Sequence, residues 1–470
     1  MGSEWREIGL NDLGEVARGR SRHRPRYAEH LYGGTYPFIQ TGDVKASGGI
    51  IDSHSQTYSE AGLAQSRLWP ANTMCITIAA NIAETGILSY PACFPDSVIG
   101  FIANENNCDV RFIEYRFRYL KAQLQREAIG SVQDNINLAT FERLKFSIPK
   151  VPEQKRIAHI LGSLDSKIQL NRQTNQTLEQ MAQALFKSWF VDFDPVIDNA
   201  LAAGNPIPPE LEQKAAQRAQ VRAAAKVSQA KPGAHPHDRT RELPQHLREL
   251  FPSEFEQIEE LGWIPKGWEI SELDELISVK HGYAFKGEFF CDNTTENVLL
   301  TPGNVTIGGG FKGRKFKYYN GPVMDDYIFS KGDVYINMTD LSKAGDTLGC
   351  PAFVPEIEGT TFHHNQRLGR VEFKNIDKIG PQFIYRCLCS REYRNHILAT
   401  ATGTTVKHTS PTKILKYRVV NSGGVIETVF EKISEKLTGK MELNNSSSRN
   451  LSKIRDTLLP KLISGELRLP

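Results

Sequence analysis

The chain of 470 residues lacks the features of a secreted or membrane-bound protein. No apolar run approaches the ~20 residues that a membrane-spanning helix needs, and the N-terminal segment carries neither a secretory nor an organelle-targeting pattern. The seven cysteines are scattered and odd in number, and they form no CxxC pair or other metal-ligand spacing. We therefore expect a cytoplasmic protein with no membrane attachment and no structural zinc.

A large excess of charge is also missing. The 57 Lys and Arg residues nearly balance the 54 Asp and Glu residues, which leaves a net charge of +3. A protein that binds nucleic acid through its overall charge would be far more basic, so any DNA site must be a local patch. The hydrophobic fraction of 40% is enough for globular cores and excludes wholesale disorder.

Common catalytic signatures are absent. The sequence contains no GxxxxGK[ST] phosphate loop and no strand-linked GxGxxG. Asn205-Pro206 continues as Ile-Pro-Pro, not as the Pro-Pro-aromatic motif of base-amino methyltransferases, and Cys93-Phe94-Pro95-Asp96 lacks the acidic and lysine residues of a nuclease core. His363-His364 are neighbours on a predicted strand, so their side chains point apart. We expect no catalytic residue, no metal site and no cofactor bound by this chain.

The chain contains two copies of one long unit. Matching segments recur in the same order, at a shift that stays between 260 and 273 residues. An internal repeat of this kind must be recognised before a fold is predicted. The main matches are Trp5–Leu13 with Trp268–Leu276, which places Gly19 on Gly282; TYPFIQTGDV, ending at Val44, with ENVLLTPGNV, ending at Val305; and Lys167–Phe190 with Lys440–Ile463.

Each copy combines a globular module with a long helix. Short β-rich runs such as Met74–Ile78 and Asp333–Ile336 alternate with helical segments such as Phe112–Ala128 and Gln382–Leu398. The predicted fold class is α+β, with two pseudo-repeated globular modules separated by two long antiparallel coiled-coil helices. The predicted boundaries are 1–150 for the first module, 151–193 for the first helical spacer, 194–262 for a linker or crossover, 263–422 for the second module and 423–470 for the second helical spacer.

Both long helices carry a heptad pattern, which indicates a coiled-coil seam. The second helix is the more polar one, because Ser448 and Arg455 interrupt its pattern, so looser packing or different partner contacts are expected there. The economical partner for each seam is the other helix of the same chain, although a homo-oligomeric coiled coil is an alternative. The predicted seam residues are Ile157, Leu161, Leu164, Ile168, Asn171, Leu178, Leu185 and Trp189 in the first helix, and Leu437, Asn444, Leu451, Leu458 and Leu462 in the second.

Two asparagines occupy the same repeat position of the seam, Asn171 and Asn444. A buried asparagine in such a seam fixes the register of the helices, and a locally wet gap is the alternative. A helix from Glu153 to Phe190 spans roughly 57 Å at 1.5 Å per residue. Two modules held apart by rigid helices suggest two binding events at a set distance, as on two half-sites of DNA.

Several basic or polar segments are candidates for contact with DNA. Clustered guanidiniums favour phosphate contact, and a few can pair with guanine, although a solvated surface is the alternative. Polar side chains such as Asn and Gln can pair with adenine, although each of them alone is more often a turn or capping residue. The candidates in the first module are Arg18, Arg20, Arg22, Arg24, Arg26, Thr41, Lys45, Ser131, Gln133 and Asn135. Those in the second are His281, Tyr283, Lys286, Asn304, Lys312, Arg314, Lys315, Lys317, His363, His364, Asn365, Gln366, Arg367, Thr404, Lys407 and His408.

The whole layout resembles the specificity (S) subunit of type I restriction–modification enzymes. The residues that carry the resemblance are VPEQKRIAHILGSLDSKIQLNRQTNQTLEQMAQALFKSWFVDFDPV, beginning at Val151, TYPFIQTGDV and FPDSVIGF in the first module, and LGWIPKGWE at the start of the second. The resemblance implies two target recognition domains, each of which reads one half of a bipartite sequence in double-stranded DNA. It also implies that the helices set the unread spacer and dock two modification subunits.

By the same resemblance, the chemistry belongs to partners. The modification subunits would bind S-adenosylmethionine and methylate adenine, and restriction subunits would use ATP and Mg for translocation and cleavage. Two alternatives stay open from the residues alone. One is a single-chain enzyme with a cryptic methylation or cleavage site, and the other is a coiled-coil scaffold that does not read DNA.

Overall fold

The computed structural model describes residues 5–23, 25, 27–79, 81–129, 144–229, 243–259 and 262–469. The chain divides into two compact units. Unit 1 consists of Met1–Gln173 and Asn444–Pro470, and unit 2 consists of Thr174–Leu443. Two long helices, α4 (Val151–Phe186) and α12 (Val425–Ser464), contribute residues to both units. Among the described residues, no helix is both long enough and apolar enough to cross a lipid bilayer.

In its described residues, the first module, in unit 1, mixes short strands with three α-helices. Its strands are β1 (Arg6–Gly9), β2 (Gly14–Arg18), β3 (Tyr32–Phe38), β4 (Ile50–Ile51), β5 (Gln56–Tyr58), β6 (Met74–Thr77), β7 (Thr85–Leu88), β8 (Val98–Ala103) and β9 (Lys145–Ile148). Its helices are α1 (Thr41–Ala46), α2 (Glu60–Ala64) and α3 (Val110–Ile129).

In unit 2, a π-helical turn over Lys187–Val191 follows α4, and the other elements of the unit come after this turn. Its helices are α5 (Asp194–Ala203), α6 (Glu212–Gln229), α7 (Gln245–Arg248), α8 (Leu273–Leu276), α9 (Pro381–Cys389), α10 (Arg391–Thr400) and α11 (Pro411–Leu415). Its strands are β10 (Phe255–Ile258), β11 (Gly262–Pro265), β12 (Glu269–Glu272), β13 (Ile277–His281), β14 (Phe290–Cys291), β15 (Asn297–Leu300), β16 (Lys317–Tyr319), β17 (Val334–Asn337), β18 (Thr339–Asp340), β19 (Pro351–Phe353), β20 (Thr361–His364), β21 (Leu368–Phe373), β22 (Lys407–His408) and β23 (Arg418–Asn421).

The two modules share one sheet topology. The first has a sheet of order β2-β8-β6-β7-β4 and the second has one of order β13-β21-β17-β19, with antiparallel pairing throughout the four strands that correspond. In each module the strand before the sheet pairs with the strand after it, β1 with β9 and β12 with β23. The structure therefore confirms the predicted α+β fold with two repeated modules.

A glycine at the end of the first sheet strand shows the repeat at atomic detail. The amide N–H of Gly19 donates to the carbonyl of Val98 (2.9 Å), and that of Gly282 donates to the carbonyl of Leu368 (3.3 Å). A Cβ on Gly19 would lie 2.3 Å from the Pro95 carbonyl oxygen, and one on Gly282 would lie 2.1 Å from the Asn365 carbonyl oxygen. Both sites need glycine because another stretch of backbone passes too close for a side chain.

The long helices pack together in each unit. In unit 1 the buried seam residues Ile157 and Leu161 of α4 lie in one apolar cluster with Leu462 of α12. In unit 2 Trp189, which follows α4, lies in a cluster with Phe430 of α12. The partner of each seam is thus the other helix of the same chain, as predicted. The remaining seam positions Leu164, Leu178, Leu185, Leu437, Leu451 and Leu458 are half-buried, and Ile168 is buried.

The asparagines of the seam bind the facing helix. Asn171 and Asn444 are 3% and 8% exposed. The Asn171 side-chain amide donates to the Asn444 carbonyl (3.4 Å) and to Ser448 Oγ (3.2 Å), and in unit 2 the Asn175 amide donates to the Met441 carbonyl (3.2 Å). From one pair to the next the residue number rises on α4 and falls on α12, so the helices run antiparallel. These bonds favour the register role over a wet gap, because a shifted register would leave the buried amides unpaired.

The residues that interrupt the second heptad are also bound to the first helix. Ser448 accepts from Asn171, and Arg455 Nη1 donates to Asp165 Oδ1 at 2.7 Å. The polar character of α12 therefore reflects specific partners on α4. The loose packing that the sequence suggested is not needed to explain it.

The segment between the copies packs partly into unit 2. Val196 of α5 is fully buried and belongs to the core cluster that also contains Trp189, Phe251 and Trp268. Helix α6 occupies Glu212–Gln229 in the middle of the segment that was predicted to be a linker or crossover. The start of this segment is therefore part of the unit 2 core.

Candidate nucleic-acid interface

Three arginines of the predicted cluster are described, and all three are exposed. Arg18 ends strand β2, and Arg20 and Arg22 follow it in a loop. The loop is anchored where Ser66 Oγ donates to the Arg20 carbonyl (2.9 Å). Among the described residues, none of these three guanidiniums takes part in an ion pair. Their charge is thus available to an external anion such as a phosphate group.

Helix α1 presents two further candidates of the first module. Thr41 begins this helix, and Lys45 lies in its last turn with an exposed side chain whose Nζ donates to Asn81 Oδ1 (2.9 Å). The helix start is fixed because Asp43 Oδ2 accepts from the Gln40 amide (2.8 Å). The position of Lys45 is therefore set by a short, capped helix.

The second module repeats this cap with a different side chain. Asn304 stands at the repeat position of Asp43, and its Oδ1 accepts from the Thr301 amide (3.0 Å). Asn304 is fully buried, and its Nδ2 donates to the carbonyls of Lys312 (3.2 Å) and Arg314 (3.3 Å). The prediction that the Asn304 side chain faces DNA is not supported by this placement. Asn304 instead shapes the basic loop, whose Lys312 and Arg314 side chains are exposed.

That basic loop lines a cleft of about 710 Å³, which faces the segment 340–347. Asp340 is buried there. Burial raises the pKa of its carboxyl group, but hydrogen bonds from Ser342 and Thr347 together have the larger effect and hold the pKa below its usual value. Lys407 stands opposite Asp340 in the β18–β22 pair. The basic loop and strand β22, which carries the candidates Lys407 and His408, are thus connected through Asp340, which lines the cleft and pairs with β22. A groove that combines exposed cations with a fixed carboxylate suits contact with both phosphates and base edges.

Two apolar side chains at this cleft were not predicted from the sequence. Ile307 is 73% exposed, and Leu341, which follows cleft residue Asp340, is 70% exposed. Exposed apolar side chains beside cations can contact the thymine methyl group or a sugar. Neither side chain is basic or polar, so the charge and polarity of the sequence did not indicate them. A usable signal was the run Gly308–Gly310, since all three glycines have positive φ and hold Ile307 at a tight turn.

The two neighbouring histidines are buried, which corrects the expectation that they read bases. His363 Nε2 pairs with Asn297 Oδ1 (2.8 Å), and His364 Nε2 pairs with the Leu368 carbonyl (2.9 Å). Burial lowers the pKa of His363 and brings the pKa of His364 to about 4. Both rings are thus neutral at physiological pH, fully buried and engaged with the fold.

The turn after these histidines lies close to the end of β13, so five other candidates are near one another. Asn365 is buried, and its Oδ1 accepts from the Arg367 amide (3.1 Å), so it acts as a turn residue. The Gln366 amide donates to the Tyr283 carbonyl (3.0 Å). The exposed side chains of Gln366 and Arg367 therefore lie on backbone bound to half-buried Tyr283, close to exposed His281 at the end of β13. This group retains the hydrogen-bonding capacity that base recognition needs.

Comparisons with known proteins agree with this architecture. Residues 2–180 match the family model of the type I restriction modification DNA specificity domain. The chain is 26% identical to the type I restriction enzyme HindI specificity subunit of Haemophilus influenzae, over 99% of this chain and 100% of that protein. It is 23% identical to the MjaIX specificity subunit of Methanocaldococcus jannaschii, over 99% and 94%.

Over nearly its whole length the chain is thus similar to type I restriction enzyme specificity subunits. Its fold also matches the crystal structure of a type I system S subunit from M. genitalium, with a TM-score of 0.55 at 14% identity, over 98% of this chain and 96% of that one. The matched family model describes a DNA specificity domain, which agrees with a role in DNA recognition.

The remaining candidate residues of the chain are mostly exposed. Lys286 lies 3.8 Å from Glu288, and Lys317 stacks over the Phe290 ring at 5.4 Å. Lys315 and Thr404 are exposed, and His408 Nδ1 pairs with Thr339 Oγ1 (3.3 Å). Arg24, Arg26, Ser131, Gln133 and Asn135 lie outside the described residues. Among the residues that are described, no group of three or more His, Cys, Asp or Glu side chains could hold a metal ion.

Proposed function

We propose that the two modules are DNA readers that each recognise one part of a bipartite target in double-stranded DNA. The observation that carries the proposal is the repeated architecture, in which two modules of one sheet topology are each built onto the same antiparallel helix pair. Exposed cations in both modules support it, Arg18–Arg22 in the first and Lys312–Lys317 in the second. Contacts to phosphates position each module, and contacts to base edges select the sequence.

The helix pair sets the length of the unread spacer and docks two modification subunits. Leu170 on α4 and Leu443 on α12 stand at equivalent repeat positions, and they are 52% and 67% exposed. Exposed leucines on rigid helices support protein docking, and their equivalence supports two copies of one partner. The partners supply the chemistry. The modification subunits bind S-adenosylmethionine and methylate adenine, and restriction subunits use ATP and Mg for cleavage.

Genome-wide mapping of adenine methylation tests the proposal. The chain is expressed with its candidate modification subunits in a methylation-free host. We expect methylation at a split motif with two short specific parts around a fixed unread gap. A continuous motif would contradict the two-reader model, and no methylation by a complete, stable complex would favour a scaffold that does not read DNA.

A matched pair of variants tests the assignment of the readers. Substitution of Lys312 and Arg314 by alanine should weaken DNA binding and reduce the salt dependence of the affinity, by roughly one unit of slope for each phosphate that the variant no longer binds. Substitution of Lys331 and Lys436 by alanine is the control, because it removes the same charge elsewhere in unit 2. Equal effects of the two pairs would contradict the placement of the interface at the basic loop.

A further inference from the structure

Three donors from two helices converge on one carboxylate, Asp165 of α4. Tyr115 Oη and Arg118 Nη1, both from α3, donate to Asp165 Oδ2 at 2.8 Å each. Arg455 Nη1, from α12, donates to Asp165 Oδ1 at 2.7 Å. These four residues, here called the Asp165 network, join the first module to both long helices within unit 1.

Arg118 extends the network into the module. Its Nε donates to Glu114 (2.6 Å), which also accepts from Thr85 Oγ1 of β7 (2.9 Å). Its Nη2 donates to the Gly48 carbonyl (2.9 Å), in the loop that follows α1. A Cβ on Gly49 would lie 1.6 Å from Nη2, so glycine is needed for the loop to close on the guanidinium. One side chain therefore links α4 to the sheet and to the loop behind α1.

The Asp165 network can fix the orientation of the module on the helices, whereas apolar contacts alone have no preferred direction. The module also packs on the helix pair through an apolar cluster that includes Phe112, Ile157 and Leu462. Apolar burial is roughly proportional to area and is non-directional. Charge-assisted hydrogen bonds have fixed geometry. Since the side chains of Asp165, Arg118 and Arg455 are 20%, 22% and 23% exposed, the bonds are largely shielded from water.

We propose that the Asp165 network fixes the orientation of the first module on the helix pair and thereby determines how strictly the protein discriminates spacer length. The inference rests on the proposed function, because spacer discrimination presupposes two readers. Asp165, Arg118 and Arg455 are positioning residues that need not touch DNA. Without the network, the module keeps its apolar cluster and single hydrogen bonds such as that from Arg116 Nη1 to the Ile463 carbonyl (2.8 Å). A module held only by these contacts can rock enough to accommodate a half-site displaced by one base pair. A module held by the network does not.

The test uses the complex of the full chain with its modification subunits. The substrates are plasmids that carry the mapped target with the native spacer or with one base pair added or removed. Asp165→Asn keeps the size of the side chain and removes its charge, and Arg455→Met removes only the contact from α12. Asp456→Asn is the control, since this carboxylate binds the same Arg455 (2.7 Å) but is 63% exposed and reaches no residue of the module in the described contacts.

We expect Asp165→Asn to raise methylation of the altered-spacer plasmids relative to the native one by roughly fivefold or more, the size of effect typical of a charge-assisted hydrogen bond. Arg455→Met should give a smaller rise, and Asp456→Asn should match the wild type. A merely structural role would lower methylation of all plasmids together and leave their ratio unchanged.

Each other outcome has a defined meaning. Unchanged ratios in both variants would overturn the inference while leaving the proposed function intact. If Asp165→Asn fails to assemble, Arg455→Met decides, because Arg118 still binds Asp165 in that variant. A wild-type complex that methylates none of the plasmids would overturn the proposed function itself. Amide hydrogen exchange is a separate measure of how firmly the module is held. Asp165→Asn should speed the exchange of backbone amides in α3 and in Ser47–Gly49.

Discussion

The two modules share one topology but are joined to the helix pair by different kinds of contact. In unit 1 a polar network on Asp165 supplements the apolar cluster. In the described part of unit 2 the junction consists mainly of packed aromatic rings, with ion pairs that join Arg386 to Glu179 and Lys331 to Glu442. Aromatic rings bury much area and prefer particular angles, so they stabilise and orient together. A repeated fold can therefore keep its architecture while the forces that hold it are exchanged.

The aromatic junction should respond most strongly to substitution. Trp189 is 2% exposed, and its ring lies 5.2 Å from Phe251 and 6.3 Å from Phe430. Trp189→Ala should lower the free energy of unfolding of unit 2 by about 3–5 kcal/mol, because it leaves a large cavity. Denaturant unfolding measures the change. Met181→Ala is the control on the same helix, since Met181 is 53% exposed and should cost less than about 0.5 kcal/mol.

The ion pairs of the two junctions should differ in strength. Arg386 is 2% exposed at its side chain, and its Nη2 donates to Glu179 Oε2 at 2.9 Å. Glu179→Gln should destabilise unit 2 by about 2–3 kcal/mol, since it leaves a buried guanidinium without its counter-charge. Arg455→Met should cost unit 1 only about 1 kcal/mol, because Asp165 keeps Arg118. Equal losses in chemical unfolding would remove this contrast between the junctions.

These junctions also show what the sequence could predict. The heptad positions follow from a local periodicity, so Ile157, Leu161 and Trp189 could be assigned to the seam from the sequence alone. The pair of Asp165 and Arg455 could not, because its members are 290 residues apart and meet only through the antiparallel register. The heptad alone showed Arg455 as an interruption.

The candidate interface was predicted less completely for a related reason. Exposed Lys312 and Arg314 were found from composition, but Asn304, His363 and His364 are buried. Their polarity suggested contact with bases, whereas it serves the hydrogen bonds of a loop and of the parallel pair β15–β20. Whether a polar side chain faces water or the interior depends on tertiary packing, which one sequence does not reveal.

A pH-dependent contact occurs in unit 2. Burial raises the pKa of Glu431 to about 7, and the nearby Glu435 carboxylate acts in the same direction. Both carboxyl oxygens of Glu431 accept from the backbone N–H of Gln382 at the start of α9 (3.0 and 3.1 Å). The folded state therefore keeps this proton at a pH where the unfolded chain, with a pKa near 4.5, has lost it.

The contribution of Glu431 to stability is thus fully present below about pH 4.5 and is lost as the pH rises towards 7. Glu431→Gln cannot titrate and keeps a carbonyl acceptor for α9. We expect the difference in unfolding free energy between variant and wild type to favour the variant progressively from pH 4.5 to 7. Thermal or denaturant unfolding across this range measures it, and a constant difference would contradict the assignment.

The smallest effect on stability is expected where the two copies are most alike. Leu170 and Leu443 occupy equivalent positions on α4 and α12 and are both exposed, so Leu170→Ser and Leu443→Ser should change the free energy of unfolding by less than about 0.5 kcal/mol.

If each leucine docks one modification subunit, each single variant should retain one copy and the double variant none, as measured by the mass of the assembled complex. Val425→Ser is the control, because Val425 is an exposed apolar residue of α12 (57%) whose repeat counterpart is a proline, Pro152. Loss of both copies from a single variant would mean that the two docking sites are coupled, and would contradict the assignment of one leucine to each partner copy.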